Sequence, residues 1–176
     1  GEFYTPRAVT DFMVKVVKPV LGDKIGDFAC GTGGFLTSAL NELDKQVGNS
    51  LENREIYNKS VYGIEKKALP HMLCVTNMLI HDIDDPNILH GNALEMDYKD
   101  MRKMEPFDVI LMNPPYGGSE KDSVKSNFPT ELRSSETADL FMNVIMYRLK
   151  KNGRCAVIIP DGFLFGTDNG KFNIKK

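Results

Sequence analysis

"KIGDFACGTGGFLTSALNEL", Lys24 to Leu43, runs from a short apolar segment through Gly-Thr-Gly-Gly into Phe35, Leu36, Ala39, Leu40 and Leu43. Those last residues recur with the period of one helical face, so the stretch predicts strand, glycine turn and helix. The same order repeats downstream. "SVYGIE" (60–65) reads as a second strand, and the following helix, 66–81, carries Leu69, Met72, Leu73, Thr76 and Leu79 or Ile80 on its apolar side. "NILHGN" (87–92) suggests a third strand, Phe107 to Met112 a fourth and "RCAVIIP" (154–160) a fifth. The helix "TADLFMNVIMYRLKK" precedes the fifth strand, with Lys-Asn-Gly as its expected stop. Upstream, "RAVTDFMVKVVKP" (7–19) sets Val9, Phe12, Met13, Val16 and Val17 at helical spacing after Thr5-Pro6. Strands alternating with helices predict an α/β fold, a doubly wound, mainly parallel sheet. The fourth and fifth strands lack strict alternation, as strands covered on both faces do. Gly117 to Thr137 is the one long stretch without pattern, and is expected to be a mobile loop.

The 176 residues are 41% hydrophobic and 26% charged, which predicts one soluble domain with a substantial core. No window reaches the ~18 uninterrupted apolar residues of a membrane span, and the N-terminus lacks a signal-peptide layout, so the expected setting is the cytoplasm. Cys30, Cys74 and Cys155 are three, far apart and without Cys-x-x-Cys spacing, which supports neither a disulfide framework nor a zinc site. "HDIDD" (81–85) lacks paired-His spacing and reads as a solvated helix cap, so no metal is expected. A net charge of −2 argues against a broad basic face that grips nucleic acid unaided.

In a doubly wound sheet, ligands gather outside the carboxyl ends of the strands, where strand order reverses. "DFACGTGGF", Asp27 to Phe35, falls at such an end. Its small residues allow a ligand close to the backbone and the next helix offers free N–H groups, although a plain tight turn would read the same way. Glu65 ends the second strand, either as an acceptor for both hydroxyls of a ribose or as an acid favouring a helix N-terminus. Asn92, in "HGNAL", suits the edge of an adenine ring and equally suits a turn.

"NPPY" (Asn113, Pro114, Pro115, Tyr116) is the least expected of these ends, because proline cannot donate to a sheet ladder. An exocyclic amine on an aromatic ring is a poor nucleophile, its lone pair being delocalised. Two acceptors aimed at its hydrogens would make it reactive, and Asn113 with the stiffly held Pro114 carbonyl can supply them. Tyr116 offers a face for a flat base. The bland alternative, two prolines ending an edge strand, conflicts with a fourth strand apolar enough to be central. The helix end "RLKKNGR" (148–154) could touch phosphate but already has a dipole explanation. Asp139 reads as a first-turn helix acid and Asp161-Gly162 as a turn.

"EFYTPRAV", "DFACGTGGFL", "GIE", "GNAL", "NPPYGG" and "PDGFLFG", in that order from Glu2 to Gly166, resemble the methylation subunit of type I restriction-modification systems, adenine-specific DNA methyltransferases dependent on S-adenosylmethionine. The Asn-Pro-Pro-Tyr group alone is shared with methyltransferases of RNA and of protein glutamine. The resemblance implies a Rossmann-like methyltransferase fold and a single catalytic domain over 1–176, truncated relative to the family by an upstream helical region and a C-terminal portion. It implies that Tyr4, Thr5 and Pro6 border the methionine end of the cofactor. Ala29, Cys30, Gly31, Thr32 and Gly33, with Gly34 beside them, take its methionine and ribose. Asp27 orients the turn or the cofactor amine, Glu65 takes the ribose hydroxyls, and Asn92 with Ala93 the adenine. Asn113 to Tyr116 then hold a flipped-out adenine of double-stranded DNA, with a specificity subunit and a restriction subunit as partners. Phe28 stands where the family usually has proline, and Asn92 where aspartate is frequent. A catalytically silent cofactor-binding module is the rival reading.

Overall fold

The structure, a computed structural model, describes residues 4–166 and 173–175. The Glu2-Phe3 start of the resemblance, and the ends of the 1–176 domain, lie outside the described residues. The helices and strands follow in the order α1 (Arg7–Val17), β1 (Ile25–Asp27), α2 (Gly34–Val47), α3 (Leu51–Asn58), β2 (Val61–Glu65), α4 (Ala68–Ile80), β3 (Asn87–His90), α5 (Tyr98–Met101), β4 (Phe107–Met112), α6 (Asp122–Lys125), α7 (Thr137–Arg148), β5 (Leu149–Val157) and α8 (Asp161–Phe165). The five strands are all parallel, in the order β3-β2-β1-β4-β5. The chain thus has the predicted α/β fold, a doubly wound parallel sheet with helices on both faces. Strand order reverses between β1 and β4, so the carboxyl ends of those two strands flank the crevice where such sheets bind ligands.

The central strand β4 shows why its sequence is apolar throughout. Val109 and Leu111 enter a core formed with α1, α2 and α4, whereas Ile110 and Met112 enter a second core under α7. Among the described residues, no helix is long and apolar enough to cross a membrane.

Several sequence expectations need correction. In α1 the buried residues are Thr10, Met13, Val14 and Val17, while Phe12 and Val16 are exposed. Thr10 is the reason: its hydroxyl meets that of Ser38 at 2.8 Å, so a small polar pair brings α1 close to α2. In α4 the predicted apolar side, Leu69, Met72, Leu73, Leu79 and Ile80, faces solvent. The stripe of Pro70, Cys74 and Met78 packs inward, with Cys74 and Met78 lying against Gly33 of the glycine turn. The helix before β5 stops at Arg148, and Lys150 to Gly153 form an irregularity in the strand rather than a helix end. Asn152 takes a φ of 65° there, and Lys150 pairs with Asp108 at 3.0 Å. Asp161-Gly162 opens the short helix α8 rather than forming a turn. The 117–137 stretch contains α6 and a 3-10 turn at Thr130–Leu132, anchored by the buried side chains of Val124 and Phe128, so it is not an unstructured loop.

Candidate active site

The glycine turn is shaped by β1 and braced from β2 and α4. Asp27 is wholly buried at the end of β1, and its Oδ1 accepts the Ala29 N–H at 3.1 Å. Gly31 and Gly33 have φ of 56° and 89°, a backbone region open to glycine but strained for other residues. Gly33 is constrained twice, since a Cβ there would lie 2.8 Å from the Cys74 sulfur. Asn77 Nδ2 donates to the Thr32 carbonyl at 2.8 Å, a brace from α4 that the sequence did not announce.

Glu65 joins this turn to β2. Its Oε2 accepts the Gly31 N–H at 2.9 Å and its Oε1 the Lys67 N–H at 2.8 Å. Glu65 thus braces the glycine turn and the start of α4, and each carboxylate oxygen keeps a second lone pair. Asn92 behaves similarly. Its Oδ1 accepts the Leu94 N–H at 3.1 Å, capping a 3-10 turn, and leaves the amide NH2 for the space it lines.

The opposite side of the crevice is built by the end of β4. Asn113 Nδ2 donates to Thr5 Oγ1 at 3.0 Å, across 108 residues of sequence. Asn113 Oδ1 is buried and accepts no hydrogen bond from the described residues. The Pro114 carbonyl likewise accepts none among the described residues. Pro114 is buried, and the Tyr116 ring is half exposed at the rim.

Between the two sides lies a cavity of about 680 Å³. Tyr4, Ala29, Gly31, Thr32, Glu65, Asn92, Ala93 and the four residues from Asn113 to Tyr116 all line it. A smaller space of about 90 Å³ adjoins it through Tyr4, Ala29, Gly31, Thr32 and Asn113, and adds Thr5, Asp27, Cys30 and Gly34. Pro6 and Gly33 line neither. Pro6 caps α1, its carbonyl accepting the Val9 and Thr10 N–H groups, and Gly33 acts through the shape of the turn. Sequence reasoning missed Lys66, Glu120, Thr137 and Phe141, which also line the large cavity. Adjacency to Glu65 could have found Lys66; Phe141, one turn into α7, is recognisable only once α7 is placed against β4. Lys66 and Glu120 approach to 3.5 Å across the mouth. Phe28, in place of the family's proline, sets its ring edge-on to Phe107 at a centroid distance of 5.3 Å, under the Arg148 guanidinium.

Burial raises the Asp27 carboxyl to about 8, with the charge of Glu65 adding to the effect and the Ala29 N–H opposing it. The Cys30 thiol is pushed far up by its contact with Cys74, 3.7 Å away, and by burial, so it is no nucleophile near neutral pH.

Comparison with known proteins gives a consistent set of matches. The family model described as N-6 DNA Methylase matches residues 1–176. The type I restriction enzyme EcoEI methylase subunit of Escherichia coli is 49% identical over 177 residues, covering 100% of this chain and 36% of that protein. The type II restriction enzyme and methyltransferase RM.BcgI of Heyndrickxia coagulans is 31% identical, over 96% of this chain and 25% of its own length. The crystal structure of a modification subunit from Vibrio vulnificus YJ016 superposes with a TM-score of 0.93 at 42% identity, covering 99% of this chain and 37% of that one. This chain spans 36% and 25% of the lengths of those two curated relatives.

Proposed function

We propose, from the premise that this chain belongs to the N-6 DNA methylase family, that it is the catalytic domain of a type I modification subunit, methylating the N6 amine of an adenine in double-stranded DNA. The observation that carries the reading is the buried Asn113 Oδ1, without a hydrogen-bond partner among the described residues, on a residue that lines one cavity together with Pro114 and the glycine turn.

The donor set fits S-adenosylmethionine. Asp27 and the glycine turn suit an amino-acid end, Glu65 a ribose, and Asn92 with Ala93 a purine edge, all along contiguous space. Tyr4 and Thr5 border the methionine end, the Thr5 hydroxyl being engaged by Asn113. When bound, this cofactor supplies a methyl group made electrophilic by its sulfonium. The chain's own residues act on the other reactant. Asn113 Oδ1 and the Pro114 carbonyl accept the two N6 hydrogens and draw the nitrogen lone pair out of ring conjugation, an electrostatic effect prepared before the substrate arrives. Pro114 and Pro115 fix the backbone so that the carbonyl needs no reorganisation. Tyr116 stacks on the ring, worth ~1–3 kcal/mol per base, which offsets part of the few kcal/mol needed to extrude a base from duplex DNA. Such chemistry rests on positioning rather than strong acid–base groups. A specificity subunit supplies sequence choice, and a restriction subunit completes the assembly.

Calorimetry with S-adenosylmethionine, followed by methyl transfer to unmethylated duplex in the presence of the specificity subunit, tests the proposal. Cofactor binding and N6-methyladenine are the expected results. Methyl transfer to RNA or to a glutamine peptide in place of DNA would overturn it, and cofactor binding without transfer would favour a silent module.

A further inference from the structure

We infer that Thr5 is a positioning residue for the target amine, fixing which end of the Asn113 amide faces the substrate; the assignment of that end's partner rests on the reading above. An asparagine amide presents an acceptor at one end and two donors at the other, and only the acceptor can meet an amine hydrogen. With the oxygen forward, the NH2 end turns away from the substrate and needs an acceptor of its own. Thr5 Oγ1 provides it at 3.0 Å. Asn113 Oδ1, buried and without a partner, is the end left over.

Thr5 is well placed to hold this orientation. It is half-buried and directly precedes Pro6, which confines its backbone to extended conformations, and its β-branched side chain has few rotamers. Pro6 in turn starts α1, and α1 is tied to α2 by the chain from Thr10 through Ser38 to Asp11, with separations of 2.8 Å and 2.6 Å. The helix that leaves the glycine turn is thereby coupled to the amide that receives the target base. Replacing Thr5 by valine keeps the shape but strands the NH2 end, and the amide then loses its fixed direction.

The test compares Thr5→Val with Thr5→Ser in the complete methylase complex. Side-chain amide NMR, with the Asn113 signal assigned by its loss in Asn113→Ala, should show an NH2 protected from exchange in the wild type and in Thr5→Ser but not in Thr5→Val. Single-turnover methyl transfer at saturating cofactor and DNA should fall on the order of tenfold or more in Thr5→Val, with S-adenosylmethionine affinity within about twofold, and should largely recover in Thr5→Ser. Loss of cofactor affinity in step with rate, or a Thr5→Ser variant as impaired as Thr5→Val, would overturn the inference and leave Thr5 a cofactor contact. An unprotected Asn113 amide in the wild type would overturn it without reference to activity. The NMR pattern as expected, in an enzyme that does not methylate DNA, would instead sink the proposed function alone.

Discussion

The two rims of the crevice satisfy their polar groups in opposite ways. On the glycine-turn rim, both oxygens of Glu65 hold backbone N–H groups, Asp27 holds Ala29, Asn92 caps Leu94 and Asn77 braces Thr32. On that rim each of these side chains braces the backbone. On the asparagine rim, among the described residues, the Asn113 side chain bonds only to Thr5, its oxygen is buried without a donor, and the Pro114 carbonyl accepts no hydrogen bond. A buried acceptor left unpaired costs ~1–3 kcal/mol, a deficit that an incoming amine would relieve under the proposed function. On the proposed function, the first rim keeps the shape of the site and the second receives the amine hydrogens. Substitutions on the first should therefore cost stability and cofactor affinity together, and those on the second should cost chemistry.

The largest effect is expected at Asn113. Asn113→Ala should lower single-turnover methyl transfer by about 10²–10³-fold while cofactor affinity and melting temperature stay near wild type; a parallel fall in cofactor affinity would erase the distinction between the rims. Gly33→Ala, probed by denaturant unfolding, should destabilise by ~1–3 kcal/mol from overpacking on Cys74, with backbone strain added. Glu65→Gln sets an NH2 against one of two backbone N–H groups, so a loss of ~1–3 kcal/mol with weaker cofactor binding is expected, and unchanged stability would show the turn to be held by other bonds.

Asp27 gives a pH signature. Folding raises its carboxyl from 3.8 to about 8, so the folded chain holds a proton that the unfolded chain has released. Its contribution is full below 3.8, declines as pH rises between 3.8 and about 8, and is flat above. Asp27→Asn should remove that decline, which unfolding curves of both proteins across this range would reveal. Glu120→Ala should matter least, by less than ~1 kcal/mol, since Lys66 is largely exposed.

Sheet and crevice were legible in the sequence because they depend on local pattern. Phe107 to Met112 is apolar at every position but Asp108, and it became the strand buried on both sides. Each unusual stretch at a strand end came to line the crevice or to shape it. What escaped depended on contacts between distant segments. Nothing in the α4 sequence says that Cys74 and Met78, rather than the leucines, meet the glycine turn, because the helix is apolar on both sides and the choice is made by its packing against Gly33. The Thr5 to Asn113 bond spans 108 residues, and the brace from Asn77 spans 45. Phe128 reads as a lone aromatic in a polar stretch, and only packing under α7 explains why 117–137 is anchored.

The most direct test asks whether the Asn113 oxygen and the target amine recognise each other. Wild type and Asn113→Ala can be measured in a double-mutant cycle, in the complete complex with S-adenosylmethionine's non-reactive analogue, on duplexes carrying adenine or unsubstituted purine at the target position. A coupling of ~1–3 kcal/mol between the amide and the amine is the predicted result. Additive losses, with no coupling, would contradict the assignment of that oxygen as the acceptor.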